Sequence, residues 1–398
     1  MLTNLDNTSE SFEDEDENQP ENLRKNSVGL LQEEPLTIEN TTSSENTTSE
    51  ITRAQLSLSK RFLNWRTIVP LAVVLAAFFI FVLPHLDIQQ TWSTIRHANM
   101  YFYVCAFLVY YLTFPLRAFR WKLLLENVGF TKENGVHLPK LWKMVEIVFV
   151  SYFVNVIVPA KLGDMYRAYL LRQETGVSAT RSFGTVLAER LLDLIVLLLL
   201  CIPAVMISLK DKTPPQIQFV LLLMLVAVIL SVVALFILHK LSAKIETLVP
   251  LRFREQYIHL QEGMTRSFSR RLPLLSLLTL GTWVGEAMRF FFVALALGLF
   301  SGSLLHIVAA AFFIGLVEAL LTVIPSTGGG LGLVEAGMAG MIVLLNPGTG
   351  TTTGSSLAAA AIVLDRSVSL FSIMVIGFVV FMFAFSRQTH KKNRFHQK

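Results

Sequence analysis

Two interruptions of the apolar sequence contain the residue types that could bind a charged group. The first, Asn155 to Arg172, contains a proline and a glycine together with four charged residues: Pro159, Gly163, Lys161, Asp164, Arg167 and Arg172. The second runs from Pro325 to Glu335 and is rich in glycine. Irregular backbone survives in hydrocarbon only where protein buries it or where it lines a wet cavity. We therefore predict that the two interruptions form the working site of a membrane transporter.

Anion binding is the chemistry that these segments suggest. Backbone amides beside Gly163 and Gly328–Gly330 could cradle a phosphate, and Lys161, Arg167 or Arg190 could neutralise it. The alternative is that the glycines only let helices pack closely, as small residues do in membranes. We favour the binding interpretation, because charge coincides here with broken backbone.

Ionisable residues also occur inside other apolar runs, where each costs roughly 2.5–3.5 kcal/mol on insertion scales. Besides the residues of the interruptions, they are Glu146, Glu189, Arg190, Asp193, Glu286, Arg289, Glu318, Asp365 and Arg366. For the neighbours Glu286/Arg289 and Asp365/Arg366, structural pairing and function are equally open. The basic group of Arg117, Arg120 and Lys122 is interpreted as an anchor at the cytoplasmic headgroups.

The composition is that of a membrane protein. The chain is 53% hydrophobic with a mean hydropathy of +0.55, and its apolar residues come in long blocks. No Ser-His-Asp set, metal-ligand cluster or nucleotide motif is visible, so we predict no cofactor and no enzymatic activity. Cys105 and Cys201 are expected to be inert thiols, and His306 is expected to have a packing or interfacial role.

Charge is distributed unevenly along the chain. Residues 1–58 are acidic and poor in apolar residues, which predicts a disordered cytoplasmic tail. The net charge is +5, so the remainder is strongly basic, and its Lys and Arg collect in particular loops. That pattern indicates membrane topology and not nucleic-acid binding.

The apolar runs predict an all-α polytopic membrane protein of about eight helices with one or two re-entrant hairpins. We read residues 145–171 as a re-entrant hairpin and 389–398 as a basic cytoplasmic tail. The predicted apolar segments are Ile68–Leu83, Phe102–Leu125, Ser182–Leu209, Ile217–Leu238, Leu272–Phe300, Leu304–Ile324, Leu331–Leu345 and Leu357–Phe385. A helix on the membrane surface is predicted around residues 241–249. Both termini are placed in the cytoplasm by the positive-inside rule.

Two topologies satisfy the loop charges. Leu304–Ile324 and Leu331–Leu345 are either two complete, short spans or a second hairpin that enters from outside. The similarity of Asn155-Val-Ile-Val-Pro to Thr322-Val-Ile-Pro, each followed by glycine and a carboxylate, suggests an inverted repeat. Sequence alone leaves both the topology and the repeat open.

The motifs resemble a known family, the flippase-like transmembrane domain of lysylphosphatidylglycerol synthases. The resemblance covers about residues 60–388. It rests on Arg117-x-x-Arg-Trp, Asn155-x-x-x-Pro-Ala-Lys-Leu-Gly-Asp-x-x-Arg, Glu189-Arg-x-x-Asp, Pro325-x-x-Gly-Gly-x-Gly-Leu-x-x-Glu and Asp365-Arg. It implies movement of a lipid between leaflets through a central cavity built by re-entrant segments. The soluble aminoacyl-transferase domain that some members carry is not expected here, so lysyl transfer is not implied.

We therefore predict a lipid transporter of the cell (inner or plasma) membrane that moves an anionic phospholipid. Its expected partners are membrane lipids and, in addition, a separate lipid-modifying enzyme. The alternative is a membrane enzyme or accessory subunit acting on a lipid-linked substrate. The predicted substrate-binding residues are Asn155, Lys161, Gly163, Asp164, Arg167, Glu189, Arg190, Asp193, Gly328, Gly329, Glu335, Asp365 and Arg366.

Overall fold

The computed structural model describes residues 88–158, 161–209, 214–240, 246, 249–323, 328–346 and 352–395. This part of the chain is helical and contains no strand. Its helices are α1 (Ile88–Arg96), α2 (Met100–Asn127), α3 (Leu141–Ile157), α4 (Leu162–Thr175), α5 (Ala179–Leu209), α6 (Pro215–Lys240), α7 (Leu251–Arg266), α8 (Leu272–Leu297), α9 (Leu304–Val323), α10 (Leu333–Leu345), α11 (Thr352–Arg366) and α12 (Ser372–Phe395). A π-helical turn, Ser367–Phe371, joins the last two.

Six helical segments of the described residues are long and apolar enough to cross a membrane. They are Met100–Asn127, Ala179–Leu209, Ile217–Leu238, Leu272–Leu297, Leu304–Thr322 and Ser355–Phe383. These match six of the predicted spans, and the shorter α10 matches the predicted segment Leu331–Leu345. The prediction of an all-α polytopic membrane protein is confirmed. The predicted span Ile68–Leu83 and the acidic tail lie outside the described residues, as does most of the predicted surface helix.

Helices α3 and α4 form a helical hairpin, which we call hairpin A (residues 141–175). The two arms pack against each other, and the chain breaks between Ile157 and Leu162. Lys143 at the start of α3 lies 3.6 Å from Glu174 at the end of α4, so both ends of the hairpin are on the same side. The predicted hairpin is present, with arms a few residues longer than expected.

Helices α9 and α10 form a second hairpin, hairpin B (residues 304–345), whose arms also pack together. Its base lies at the end of α8: the Asn346 side chain, directly after α10, donates to the Leu299 carbonyl at 2.7 Å. Its tip contains the turn Gly328–Gly330, in which Gly329 adopts φ 64°, a conformation that favours glycine.

The two hairpins enter from opposite sides. Helices α2 and α8 pack antiparallel, because the Asn99 amide before α2 donates to the Ala296 carbonyl near the end of α8, while Asn127 at the end of α2 contacts Ser267 and Arg270 just before α8. Hairpin B has its base at the end of α8. The base of hairpin A lies at the other side, since α5 begins four residues after it with Arg181 over the Phe130 ring.

An internal inverted repeat explains this arrangement. Helix α2, hairpin A and α5 form one half; α8, hairpin B and the α11–α12 pair form the other. Each half shows the same packing: the long first helix contacts the hairpin, and the hairpin's second arm contacts the following helix. Helix α5 packs on α9 of hairpin B, as α12 packs on α3 of hairpin A. Because α2 and α8 are antiparallel, the halves are inverted, which favours the topology with two hairpins.

Helix α7 packs against the N-terminal part of α5. Gly263 of α7 and Gly184 of α5 pack so closely that a Cβ on either would meet backbone of the other helix. Arg181 pairs with Glu262 across the same contact, and Gln261 donates to a carbonyl of α6. Helix α7, which follows the predicted surface helix, is therefore packed against the helical core.

Hairpin A should be intolerant of a side chain at Gly163. A Cβ there would overlap the Ser151 carbonyl of the opposite arm, whereas Gly340, in the second arm of hairpin B, has open space. We expect Gly163→Ala to destabilise the protein by about 1–3 kcal/mol through overpacking. Gly340→Ala should be neutral or stabilising by up to about 1 kcal/mol, because alanine favours the helix. Thermal unfolding of both purified variants checks this, and equal midpoints would show that the arms are not in close contact.

Candidate functional site

A cavity of about 300 Å³ lies where the tips of the two hairpins meet. Asn155, Val156 and Lys161 of hairpin A face Gly329 and Gly330 of hairpin B across it. The contact between the tips is close, since a Cβ on Gly329 would lie 3.8 Å from Val156 Cγ1. The rest of the wall comes from α2, α5, α8, α9, α11 and the π-helical turn.

The wall of the cavity is strongly charged although it lies among apolar helices. Its cationic residues are Arg117, Lys161, Arg190, Arg289 and Arg366. Its carboxylates are Asp164, Asp193, Glu286 and Glu318. Five cations against four carboxylates leave the wall one positive charge in excess among the described residues.

The first half of the repeat contributes a balanced ion network, called network A. Its members are Arg120, Arg167, Arg190, Asp164, Glu189 and Asp193. Glu189 is shared by two arginines: Arg120 Nη2 lies 2.7 Å and Arg167 Nη2 2.9 Å from its oxygens. All three side chains are at least 98% buried. The Arg167 guanidinium also stacks on the Trp121 ring, 4.5 Å from the centroid.

Asp193 and Asp164 complete network A. Asp193 accepts from Arg120 Nη1 at 2.6 Å and from the Trp283 indole at 3.0 Å. Asp164 binds Arg190 with both oxygens, each at 2.9 Å, which is the planar fork geometry that arginine favours. This pairing holds the N-terminus of α4 against α5.

Asn155 fixes the tip of hairpin A. Its side-chain oxygen accepts from the Gly163 amide at 2.8 Å, and its side-chain nitrogen donates to Asp164 at 3.2 Å. Ser151 donates to the Gly163 carbonyl at 2.8 Å. Both backbone polar groups of Gly163 are therefore satisfied within hairpin A, as burial in hydrocarbon requires.

Network B lies mainly in the second half and joins α8, α9, α10 and α11 to α2 of the first half. Its members are Arg117, Arg289, Arg366, Glu286, Glu318, Glu335 and Asp365. Arg289 is the centre: it binds Glu318 and Asp365 and lies 3.6 Å from Glu286. Arg117 binds Glu286 at 2.5 Å and also donates to the Tyr152 hydroxyl.

The two networks correspond under the repeat. Asp164 is the third residue of α4, and Glu335 is the third residue of α10. Each binds an arginine of the following long helix: Arg190 in the first half, and Arg366, whose Nε lies 2.7 Å from Glu335, in the second. A carboxylate in the first turn also interacts favourably with the helix dipole.

Lys161 differs from the arginines of the wall. It lies at the tip of hairpin A in a left-handed conformation with φ 56°. Within the described residues no carboxylate oxygen lies within 4.0 Å of its ammonium group, whereas every arginine of networks A and B has such a partner. Strained backbone of this kind persists where the surroundings hold it and is concentrated at functional sites.

The chain is similar in sequence to known membrane proteins. The family model of the lysylphosphatidylglycerol synthase TM region matches residues 67–377. The chain belongs to this family. It is 31% identical over 144 residues to a UPF0104 membrane protein of Methanocaldococcus jannaschii, covering 36% of this chain and 61% of the relative. It is 23% identical over 141 residues to glycosyltransferase AglD of Haloferax volcanii, covering 35% of this chain and 22% of the relative. The chain thus matches less than two thirds of either relative.

The predicted site residues fall into two groups, one that lines the cavity and one that lies behind its wall. Those that line the cavity are Asn155, Lys161, Asp164, Arg190, Asp193, Gly329 and Arg366. Those that lie behind the wall and hold its side chains or backbone are Gly163, Arg167, Glu189, Glu335 and Asp365. Gly328 begins the turn at the tip of hairpin B.

Three expectations about individual residues were wrong. Arg117 and Arg120 are not headgroup anchors: they are 2% and 0% exposed and bind carboxylates of α8 and α5. Only Lys122, 33% exposed and 4.0 Å from Glu126, fits that role. The Gly163 amide is not free for a phosphate, because Asn155 already accepts its hydrogen bond. For this glycine the close-packing alternative is correct.

The sequence neighbours that were considered as pairs have their closer partners elsewhere. Asp365 binds Arg289 while Arg366 binds Glu335, and Glu286 lies closer to Arg117 than to Arg289. Missing from the predicted site were wall residues on α2, α3, α8 and α9: Tyr110, Arg117, Tyr152, Trp283, Glu286, Arg289 and Glu318. The sequence did contain a sign of this site, since Glu286 and Arg289 share one helix face. That these residues approach hairpin A depends on the tertiary packing of the helices.

Network A should be a major contributor to stability. Glu189→Gln removes the charge that Arg120 and Arg167 share and leaves buried cations short of a partner, which typically costs about 3–5 kcal/mol. The matched control is Glu126→Gln, which breaks exposed pairs with Lys122 and Arg271 and should cost at most about 1 kcal/mol. Thermal unfolding of the purified variants provides the comparison. Similar midpoints for the two variants would contradict the structural role of Glu189.

Proposed function

We propose that the protein is a lipid transporter that moves an anionic phospholipid between leaflets. The headgroup enters the cavity between the hairpin tips, and the acyl tails remain in the surrounding lipid. A cavity of about 300 Å³ is at the lower end of the range of ligand sites and suits a headgroup rather than a whole lipid.

The observation that carries this proposal is Lys161. Lys161 faces the cavity within the membrane, and no carboxylate of the described residues pairs with it. A lysine in this position is costly unless an anion binds it. The arginines of the wall already bind carboxylates of networks A and B, so Lys161 is the cation of the described wall that remains for an anion. Phosphate is the anion that every phospholipid supplies, and a compact ammonium group binds it as a point charge.

The inverted repeat supports transport over simple binding. Two hairpins that enter from opposite sides and meet at one cavity are the arrangement by which repeat transporters expose a central site alternately to each side. The Asp164–Arg190 and Glu335–Arg366 pairs tie each hairpin to the long helix that follows it. Small relative movements of the two halves would therefore open one entrance while closing the other.

Loop charge supports the orientation. The side that holds the end of α2 and the starts of α5 and α8 carries basic side chains, among them Lys122, Arg181, Arg270 and Arg271. We place this side, with both termini, in the cytoplasm. The proposed transport domain is residues 59–388, between an acidic tail (1–58) and a basic tail (389–398), in the cell membrane.

A membrane enzyme acting on a lipid-linked substrate is the second candidate, because one relative is a glycosyltransferase. The paired state of the carboxylates argues against it. Asp164, Glu189 and Asp193 would be its catalytic acids, yet each is bound by arginine. A covalently changed lipid after incubation of lipid extracts with the purified protein would decide for the enzyme.

Neutralising Lys161 should slow the movement of anionic lipid. In proteoliposomes that contain a labelled phosphatidylglycerol, we expect Lys161→Gln to lower the initial rate at least about tenfold, since a charge-assisted contact contributes about 1.5–3 kcal/mol. The matched control is Lys122→Gln, which removes a lysine at the end of α2, away from the cavity wall. It should keep the wild-type rate.

Thermal unfolding of both variants checks that each is folded. An equal rate for Lys161→Gln and wild type would refute the role of Lys161. The absence of any flux of anionic lipid above protein-free vesicles in wild type would refute the transport function itself.

A further inference from the structure

The two ion networks differ in their charge balance. Network A has three arginines and three carboxylates, so its formal charges cancel. Network B has three arginines and four carboxylates among the described residues. An uncompensated carboxylate in a buried site is strongly unfavourable and is relieved by neutralisation. Network B therefore calls for one additional positive charge.

Asp365 is the carboxylate of network B that lacks a full set of partners. Its side chain is fully buried, and Oδ1 accepts from Arg289. Oδ2 is buried and has no hydrogen-bond partner within the described residues. An acceptor of an ionised carboxylate is rarely left in this state, because losing its hydration without a replacement is costly.

The surroundings of Asp365 are acidic. Helix α8 contributes Arg289 and Glu286. Helix α9 contributes Glu318, which binds Arg289 as Asp365 does. Helix α10 contributes Glu335, which binds Arg366, the neighbour of Asp365 in the chain. From α2 the Tyr110 ring lies against Arg289. Helix α1 contributes only Arg96, which is exposed and stacks on Trp92. Glu318 has Arg366 as a second partner at 3.5 Å, whereas Arg289 is the cation that Asp365 binds within the described residues. Ionisation of Asp365 beside Glu318 is therefore unfavourable.

We propose that Asp365 is a proton-binding site that couples lipid transport to the proton gradient. A proton from water in the cavity binds the carboxylate at Oδ2 and gives a neutral carboxyl group; its release to water on the opposite side restores the carboxylate. Asp365 lies behind the cavity wall, but its partner Arg289 lines the cavity, as does Ser369, four residues further along the chain. Protonation leaves network B with three charges of each sign.

The coupling rests on the proposed function of Lys161. In the empty transporter the charge of Lys161 offsets the excess carboxylate of network B across the shared cavity. An anion bound at Lys161 cancels that charge, and the remaining negative charge then favours proton uptake at Asp365. By linkage, a proton on Asp365 strengthens anion binding by the same factor. Proton and anion are therefore expected to move together.

Infrared difference spectroscopy tests the proton site without any transport assay. The full-length protein in phosphatidylcholine nanodiscs is titrated between acidic and alkaline buffer, and carboxyl C=O bands are identified by their shift in D₂O. We expect wild type to show a buried carboxyl band that persists to near-neutral pH. The band should be lost in Asp365→Asn and retained in the control Glu126→Gln. Asp365→Glu, which keeps the carboxyl group, should restore it if the asparagine variant folds poorly.

Flux measurements test the coupling. In proteoliposomes with labelled phosphatidylglycerol, an imposed pH gradient should accelerate wild-type flux, and Asp365→Asn should show equal rates with and without the gradient. Persistence of the carboxyl band in folded Asp365→Asn, or its absence in wild type, would overturn the proton site. Gradient dependence that survives in Asp365→Asn would overturn the coupling. If wild type gives the band but no lipid flux, the proposed transport function fails while the proton site stands.

Discussion

The constraint on which this structure depends is the burial of many charges in a protein that hydrocarbon surrounds. A single arginine or carboxylate in that environment is expensive, and the chain contains more than a dozen near its centre. They are tolerated because each arginine of the two networks has a carboxylate partner and several are also held by tryptophan, tyrosine or threonine. The networks in turn fix the helices that carry them. The single side chain of Arg120, for example, connects α2 to both α5 and α8. Charge pairing is therefore the scaffold of the cavity.

The inverted repeat gives this scaffold its form. Each half places a carboxylate at the start of the second hairpin arm and an arginine on the next long helix, so that each break in the backbone is anchored at the same relative position. The halves then diverge. Among the described residues, the first half has a lysine at its tip with no carboxylate partner, and network B has one more carboxylate than arginines. In the proposed function the lysine binds the anion, and in the further proposal the carboxylate binds the proton.

Much of this was accessible from the order of residues. Proline, glycine and charge inside Asn155–Arg172 identified the first break, because such residues are incompatible with a lipid-facing helix. Hairpin A and the all-helical class followed from the same pattern, and the family resemblance from the motifs. Loop charge could not choose between two short spans and a second hairpin, since both return the chain to the same side. The contact of Asn346 with Leu299 and the meeting of Gly329 with Val156 made that choice.

The sequence by itself determined which residues must avoid lipid, because the free-energy penalty for a charge in hydrocarbon depends on residue type and on the apolar run around it. It could not determine their partners. Arg117 and Arg120 sit at one end of an apolar run, where a headgroup anchor and a buried ion pair produce the same pattern. Asp365 and Arg366 are adjacent in sequence, yet successive residues of a helix point about 100° apart and contact different neighbours. Only the packing of α2 against α8, and of each hairpin against the opposite half, decided which charges neutralise one another and which remain to face the cavity.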